Sequence, residues 1–253
     1  MKQIAVVISG AGKQRENNQD NFLLRGVCRD DFDSPDVVRV SGLGRGEGLY
    51  AVADGIGGMD KGERASYAVV KKLKWNRCRN VQAVQQCSSA VEKLAQENGK
   101  PMGSTLVAVK IRGKQAQIYN VGDSRAYLWR GGALSQLSRD HTSSALLVEM
   151  GYISKDEARA RPDGHRLTQY LGMDSEEMLI QPHVVQMELQ HGDLILLCSD
   201  GLTDMMTDEE IAAVLTGQQD PERAAVQLYD GAMERGGIDN TTIMLIRTEE
   251  RRI

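Results

Sequence analysis

Leu49-Tyr50-Ala51-Val52-Ala53-Asp54-Gly55 is a short apolar run that stops abruptly on a carboxylate and a glycine. A second run, Leu194-Ile195-Leu196-Leu197-Cys198-Ser199-Asp200-Gly201, repeats the arrangement later in the chain. A buried strand that presents a carboxylate at its mouth is a common way for a sheet to build a rigid site. Asp-Gly is also an ordinary turn dipeptide, so either run alone says little. Two of them predict that strand ends converge on one acidic place.

Working outward, the other short apolar or alternating runs are Ile4–Ser9, Thr105–Ile111, Gln115–Val121, Ser124–Arg130 and Thr241–Arg247, bordered by Gly or Asp. They read as strands. Glu63–Lys74 and Val81–Asn98 carry apolar residues at helical spacing and predict two long amphipathic helices. Thr142–Met150, Lys155–Arg161, Asp208–Leu215 and Glu222–Arg235 are further helices, with Ser154 and Thr207 as N-caps and Pro221 at a first helical position. Helices cluster between groups of strands, which argues for antiparallel sheet under helices rather than a doubly wound parallel sheet. Asp30–Gly48, rich in Asp, Ser, Pro and Gly, reads as a loop.

The chain has 253 residues and is 41% apolar, enough for one substantial core, and no linker divides it. A net charge of −4 lacks the basic surface of a general nucleic-acid binder. No apolar run approaches a membrane span or a secretory h-region, so a cytoplasmic protein is expected. Cys28, Cys78, Cys87 and Cys198 have no zinc spacing, and the positions six further on hold Ser34, Val84, Lys93 and Asp204. The arginine a cysteine-based phosphatase needs there is missing. Asp30–Asp36 lacks the glycine and glutamate of an EF-hand loop, and no phosphate-binding P-loop occurs. Lys71, Lys72, Lys74, Arg77 and Arg79 form a basic patch, read as an exposed helix face and end, with docking of an acidic partner as the alternative.

Three more acidic spots join the two Asp-Gly ends: Asp20 after Arg15-Glu16-Asn17-Asn18-Gln19, Asp123 in a tight connection between strands, and Asp239 before the last strand. Carboxylates brought together without lysines repel one another, so a site built from them calls for a cation. Oxygen ligands without clustered His or Cys favour Mg²⁺ or Mn²⁺.

These residues carry a resemblance. Arg15-x-x-Asn18-Gln19-Asp20, Val52-Ala53-Asp54-Gly55-Ile56-Gly57-Gly58, Gly103-Ser104-Thr105, Val121-Gly122-Asp123-Ser124-Arg125, Ser199-Asp200-Gly201-Leu202 and Asp239-Asn240-Thr241-Thr242 occur in this order. They resemble the motifs of metal-dependent serine/threonine phosphatases of type 2C, the PPM family. Arg139-Asp140-His141 and Leu167–Gly172 look like the flap of its bacterial branch.

The resemblance implies an α+β fold, a four-layer α-β-β-α sandwich of two antiparallel sheets flanked by helices. A single phosphatase domain would span residues 1–253, with a mobile flap at about 138–171. It implies that Asp54 bridges two Mn²⁺ or Mg²⁺ ions, that the Gly55 carbonyl binds one of them, and that Asp200 and Asp239 bind the other. Asp20 would hold a metal-bound water, and Asp123 with Asp200 a third ion. Arg15 would bind phosphate and Asn240 would orient carboxylates. The implied reaction is hydrolysis of phosphoserine and phosphothreonine in proteins by a water activated between the ions, opposing a bacterial Ser/Thr kinase, with the enzyme a monomer. Gln19 and Ile56 depart from Glu and His found in many members. They motivate the alternative of a catalytically impaired phosphoprotein-binding module. A nuclease, suggested only by the carboxylates, is disfavoured by charge and by the scarcity of aromatics. His141, His165, His183 and His191 are assigned to structure or to the flap.

Overall fold

Residues that alternate in sequence but stay apolar on both sides demand cover on both faces of a sheet, and that demand sets the layering. A computed structural model describes residues 1–30, 36–56, 61–154, 157–158, 161 and 163–250. Strands β1 (Lys2–Gly10), β3 (Val38–Arg45), β7 (Arg125–Arg130), β8 (Ala133–Gln136), β10 (Leu194–Cys198) and β11 (Thr241–Glu249) form one sheet, in the order β3-β1-β11-β10-β7-β8. Strands β2 (Asn21–Leu24), β4 (Glu47–Ala53), β5 (Leu106–Arg112), β6 (Gln115–Val121) and β9 (His183–Glu188) form the other, in the order β2-β4-β5-β6-β9. Neighbouring strands pair antiparallel.

On β4, Tyr50 and Val52 face the other sheet and join Val7, Ile195, Leu197, Met244 and Ile246 in the middle core. Ala51 and Ala53 face the opposite way, under helices α1 (Gly62–Asn76) and α2 (Val81–Asn98), where they meet Ala65, Val69, Leu73, Val84 and Val91. The outer face of the six-stranded sheet, with Val6, Ile8, Leu196 and Leu245, is covered by α5 (Asp208–Gly217) and α6 (Pro221–Glu234) through Ile211, Leu215, Ala225 and Leu228. The layers are therefore α-β-β-α, as expected. In the chain between α2 and α5 come α3 (Ser143–Glu149), in the segment expected as a flap, and α4 (Asp200–Thr203), one turn opening at the second Asp-Gly.

Local signals hold. Thr207 caps α5 in a reciprocal capping box with Glu210, Pro221 opens α6, and Ser154 exchanges hydrogen bonds with Glu157 in the same manner. Most of the helix expected at Lys155–Arg161, the acidic core of Asp30–Asp36, and Gly57 and Gly58 lie outside the described residues. One expectation is corrected: Asp30–Gly48 is not all loop, because Val38–Arg45 is an edge strand on β1. Its glycines hide the alternation, and the Arg25 side chain lies across the strand at Gly44, where a Cβ would fall 2.0 Å from Arg25 Nη1 and the guanidinium would have to move aside. The short strands β2, β8 and β9 also escaped the periodicity reading, β2 because it is buried throughout and too brief for a period to register.

Candidate active site

The ends of β4, β10 and β1 and the start of β11 lie at one edge of the sandwich, joined there by the β6–β7 turn. Asp54 and Gly55 follow β4, Asp200 follows β10, Asp239 and Asn240 precede β11, Asp123 lies in the β6–β7 turn, and Arg15 and Asp20 lie on the segment between β1 and β2. The backbone of Asp54 is fixed on both sides: Asp54 N donates to Thr105 Oγ1 at 3.0 Å, and Thr105 N donates to the Asp54 carbonyl at 2.8 Å. Gly55 must be glycine for packing: a Cβ would sit 2.2 Å from the Gly62 carbonyl oxygen, where α1 begins. Gly201 has the same constraint, 2.1 Å from the Asn240 carbonyl oxygen. The two Asp-Gly ends are thus pressed against neighbouring backbone, which fixes the adjacent carboxylates.

Beneath them runs a buried hydroxyl and amide network. Ser199 Oγ donates to Asp20 Oδ2 at 2.7 Å and accepts from Thr242 N at 2.9 Å. Ser9 and Thr242 hydroxyls share a bond of 2.7 Å, Asn18 Nδ2 donates to Ser9 Oγ, and Asp20 N donates to Asn18 Oδ1. Asp20 is therefore held through β1, β10 and β11 together.

Electrostatics single the cluster out. Burial, then the charges of Asp20, Asp200 and Asp123, pushes Asp54 well above the usual carboxylate range. Burial and then Asp123, Asp204, Asp239 and Asp20 do the same to Asp200. Asp20 is raised to about 6, chiefly by burial, and Asp123 to about 7 by burial and then Asp140. Buried Asp20 Oδ1 and Asp200 Oδ1 have no hydrogen-bond partner. Unpartnered carboxylate oxygens that raise one another's affinity for protons fit a cation. Among the described residues no three His, Cys, Asp or Glu side chains enclose an ion by themselves.

A cavity of about 320 Å³ opens onto Asp54, Gly55, Asp123, Asp200 and Asp239, with His165 and Tyr170 from the flap segment on its wall. Arg15 stands at this mouth, 49% exposed, and its Nε and Nη2 fork onto Asp239 at 3.0 and 2.6 Å. The expected phosphate ligand is thus paired here with an expected metal ligand. Asn240 differs in detail from the expectation. Its side chain touches no carboxylate: Nδ2 donates to the carbonyls of Ala11 and Asn17, and Oδ1 accepts from Gln19 N. It orients the loop carrying Arg15, while its backbone N–H donates to Asp239 Oδ1 at 2.7 Å.

Gln19 works through its backbone, its carbonyl accepting from Gly55 N and Ser66 Oγ. A Gln in place of Glu leaves that scaffold intact. Asp204 was not singled out from sequence; it stands four residues after Asp200 across one helical turn, a spacing that puts both on one side. Asp204 is itself pushed up by burial. His141 is structural: its Nδ1 accepts from Gly122 N at 3.1 Å, and burial lowers it to about 4, which keeps it neutral and pins the Asp123 turn.

Residues 17–241 match the family described as Protein phosphatase 2C. The chain is 30% identical to the serine/threonine phosphatase stp of Listeria monocytogenes, over 94% of this chain and 93% of that protein. It superimposes on Stp1 from Staphylococcus aureus with a TM-score of 0.83 at 28% identity, covering 97% of this chain and 95% of the other. It also superimposes on the catalytic domain of the phosphatase PstP, solved with two manganese ions, with a TM-score of 0.78 at 28% identity, covering 99% of this chain and all of that one. With its motifs in order and its strand ends converging on a buried carboxylate cluster, this chain belongs to the protein phosphatase 2C family.

Proposed function

We propose that the chain hydrolyses phosphoserine and phosphothreonine side chains of proteins. The observation that carries this reading is the mutually repelling cluster of half-buried Asp54 and Asp200 with buried Asp123 and Asp20 at the mouth of the sandwich, in a family of protein phosphatases. Asp54, Asp200, Asp239 and the Gly55 carbonyl would hold two Mn²⁺ or Mg²⁺ ions, and Asp123 with Asp200 a third. Bound there, the ions supply a water acidified to near neutrality and positive charge against the phosphoryl oxygens.

The chain's own residues do the rest. Arg15, planar and always charged, anchors the phosphoryl group at the rim. Asp20, fixed by Ser199, keeps Oδ1 free to accept a proton from a water. Thr105 and Ser124, linked at 2.6 Å, stiffen the backbone of Asp54, and Asn240 holds the Arg15 loop in register. The phosphoprotein would come from a Ser/Thr kinase of the same bacterial cytoplasm, and the enzyme would act as a monomer. No described helix is long and apolar enough to cross a membrane.

Hydrolysis of para-nitrophenyl phosphate and of a phosphothreonine peptide, with Mn²⁺, Mg²⁺ or EDTA, tests the reading. Wild type should turn over both substrates with either ion and neither in EDTA, and Asp200→Ala should be inactive throughout. Tight phosphopeptide binding without turnover in excess Mn²⁺ would overturn it.

A further inference from the structure

Helix α1 starts against the carboxylate cluster, where Gly62 packs on Gly55, and ends on a basic surface. At about 1.5 Å per residue its fifteen residues carry it roughly 20 Å from the site. At that far end Lys71, Lys74, Trp75, Arg77 and Arg79 are exposed and Lys72 is half-buried. Trp75 is 75% exposed, and no large apolar side chain among the described residues is more so. Lys72 Nζ lies 4.8 Å from its ring centre.

These five cations form no ion pair among the described residues, although the chain as a whole carries −4. From Ala65 to Val91 there is no Asp or Glu. Among the described residues, the acids that approach from other elements are Asp30, beside Cys28 with Lys71 and Lys74, and Glu47, which Lys110 engages at 3.4 Å. The negative end of the helix accounts for a lysine in the last turn. It does not account for a tryptophan held in water, nor for Arg79 beyond the end. The turn there is unusual too: Arg77 and Cys78 both take left-handed backbone, φ 58° and 43°, where a glycine would ordinarily stand. Asn76 holds them, donating to the Ala83 carbonyl and accepting from Cys78 N.

We propose that this surface, Trp75 amid Lys71, Lys72, Lys74, Arg77 and Arg79, docks an acidic segment of the phosphoprotein substrate while the phosphorylated residue occupies the carboxylate cluster. The occupant follows from charge complementarity, with an aromatic anchor ringed by cations that make no ion pair among the described residues. An extended chain covers about 3.3–3.6 Å per residue, so an Asp/Glu tract six to eight residues from the phosphorylated residue reaches both places. Engagement at one end raises the effective concentration at the other. The inference rests on the phosphatase reading for its second site only.

Two arms separate the claims. In the first, a fluorescein-labelled Glu-rich peptide without phosphate is titrated by anisotropy against the Mn²⁺-loaded protein. It should bind wild type, weaken about tenfold or more in Trp75→Ala and in Lys71→Glu/Lys74→Glu, and weaken as salt is raised. In the second, a short phosphothreonine peptide is compared with the same peptide bearing a Glu tract about seven residues away. The tract should lower KM about fivefold or more with kcat unchanged, the variants should erase that gain, and their hydrolysis of para-nitrophenyl phosphate should stay at the wild-type level. Equal KM values for both peptides, or binding indifferent to the variants, would overturn the proposal. So would Trp75-dependent binding to phosphatidylserine vesicles with none to the peptide, which would assign the surface to membranes. Loss of turnover with peptide binding intact would count against the phosphatase reading alone.

Discussion

Asp54 and Asp200 are half-buried at the cavity wall, where desolvation and neighbouring carboxylates favour the neutral acid: Asp20, Asp200 and Asp123 act on Asp54, and Asp123, Asp204, Asp239 and Asp20 on Asp200. Replacing either carboxylate should therefore act oppositely on function and on the metal-free fold. Asp200→Asn should abolish turnover yet raise the denaturation midpoint in EDTA, because it deletes a buried charge that nothing there pairs. A lower midpoint in EDTA would show that the cluster is not repulsive. Ser199 is the opposite case: its hydroxyl donates a hydrogen bond to Asp20 Oδ2 and accepts one from Thr242 N. Ser199→Ala leaves two buried groups unpaired and should cost about 2 kcal/mol of stability, read by urea denaturation with Mn²⁺ present. Arg15→Lys keeps the charge but loses the fork on Asp239, and should lower kcat/KM by on the order of tenfold. An unchanged kcat/KM would remove Arg15 from phosphate binding.

Among the elements, the meeting of α4 with the start of β11 is the tightest constraint on the site. Gly201 admits no Cβ beside the Asn240 carbonyl, so Gly201→Ala must push the second Asp-Gly end away from the Asp239–Asn240 segment. The expected result is a loss of about 2 kcal/mol or more in stability and a marked loss of activity even at saturating Mn²⁺, measured together on one preparation. Wild-type activity at lowered stability would mean that the site tolerates the shift. The strands that matter here were legible because their apolar runs end on Asp-Gly. Edge strand β3 was not, since Gly42 and Gly44 interrupt its alternation, and only the fold shows Leu24 packed at the first and Arg25 crossing at the second. Asn240 was recognised as a site residue, but its bonds to Ala11 and Asn17 join positions more than two hundred residues apart, which no local pattern encodes.

For the whole molecule, the raised carboxylates set a pH dependence with a definite sign. Asp20 near 6 and Asp123 near 7, with Asp54 and Asp200 also raised, bind more protons folded than unfolded between about pH 4 and pH 7. Their contribution is complete below the ordinary carboxylate range and is lost as pH rises. His141, lowered to about 4, and His183 pull the other way up to the ordinary imidazole value, but the four raised carboxylates outweigh them, so the urea midpoint of metal-free protein should fall from pH 5 to pH 7.5. Saturating Mn²⁺, which binds the ionised form, should flatten or reverse that slope. The same slope with and without Mn²⁺ would separate the cluster from the metal. The sequence by itself determined antiparallel sheet under helices, the order of the motifs and the acidic strand ends, because apolar strands and Asp-Gly ends are local features; the four-layer sandwich followed from the resemblance those motifs carry. Only the tertiary structure decided that Arg15 forks onto Asp239, that Ser9, Asn18, Ser199 and Thr242 form one network under Asp20, and that α1 leads from the site to an exposed tryptophan. Those relations join residues from distant strands, and their energies arise only once burial has removed water from between them.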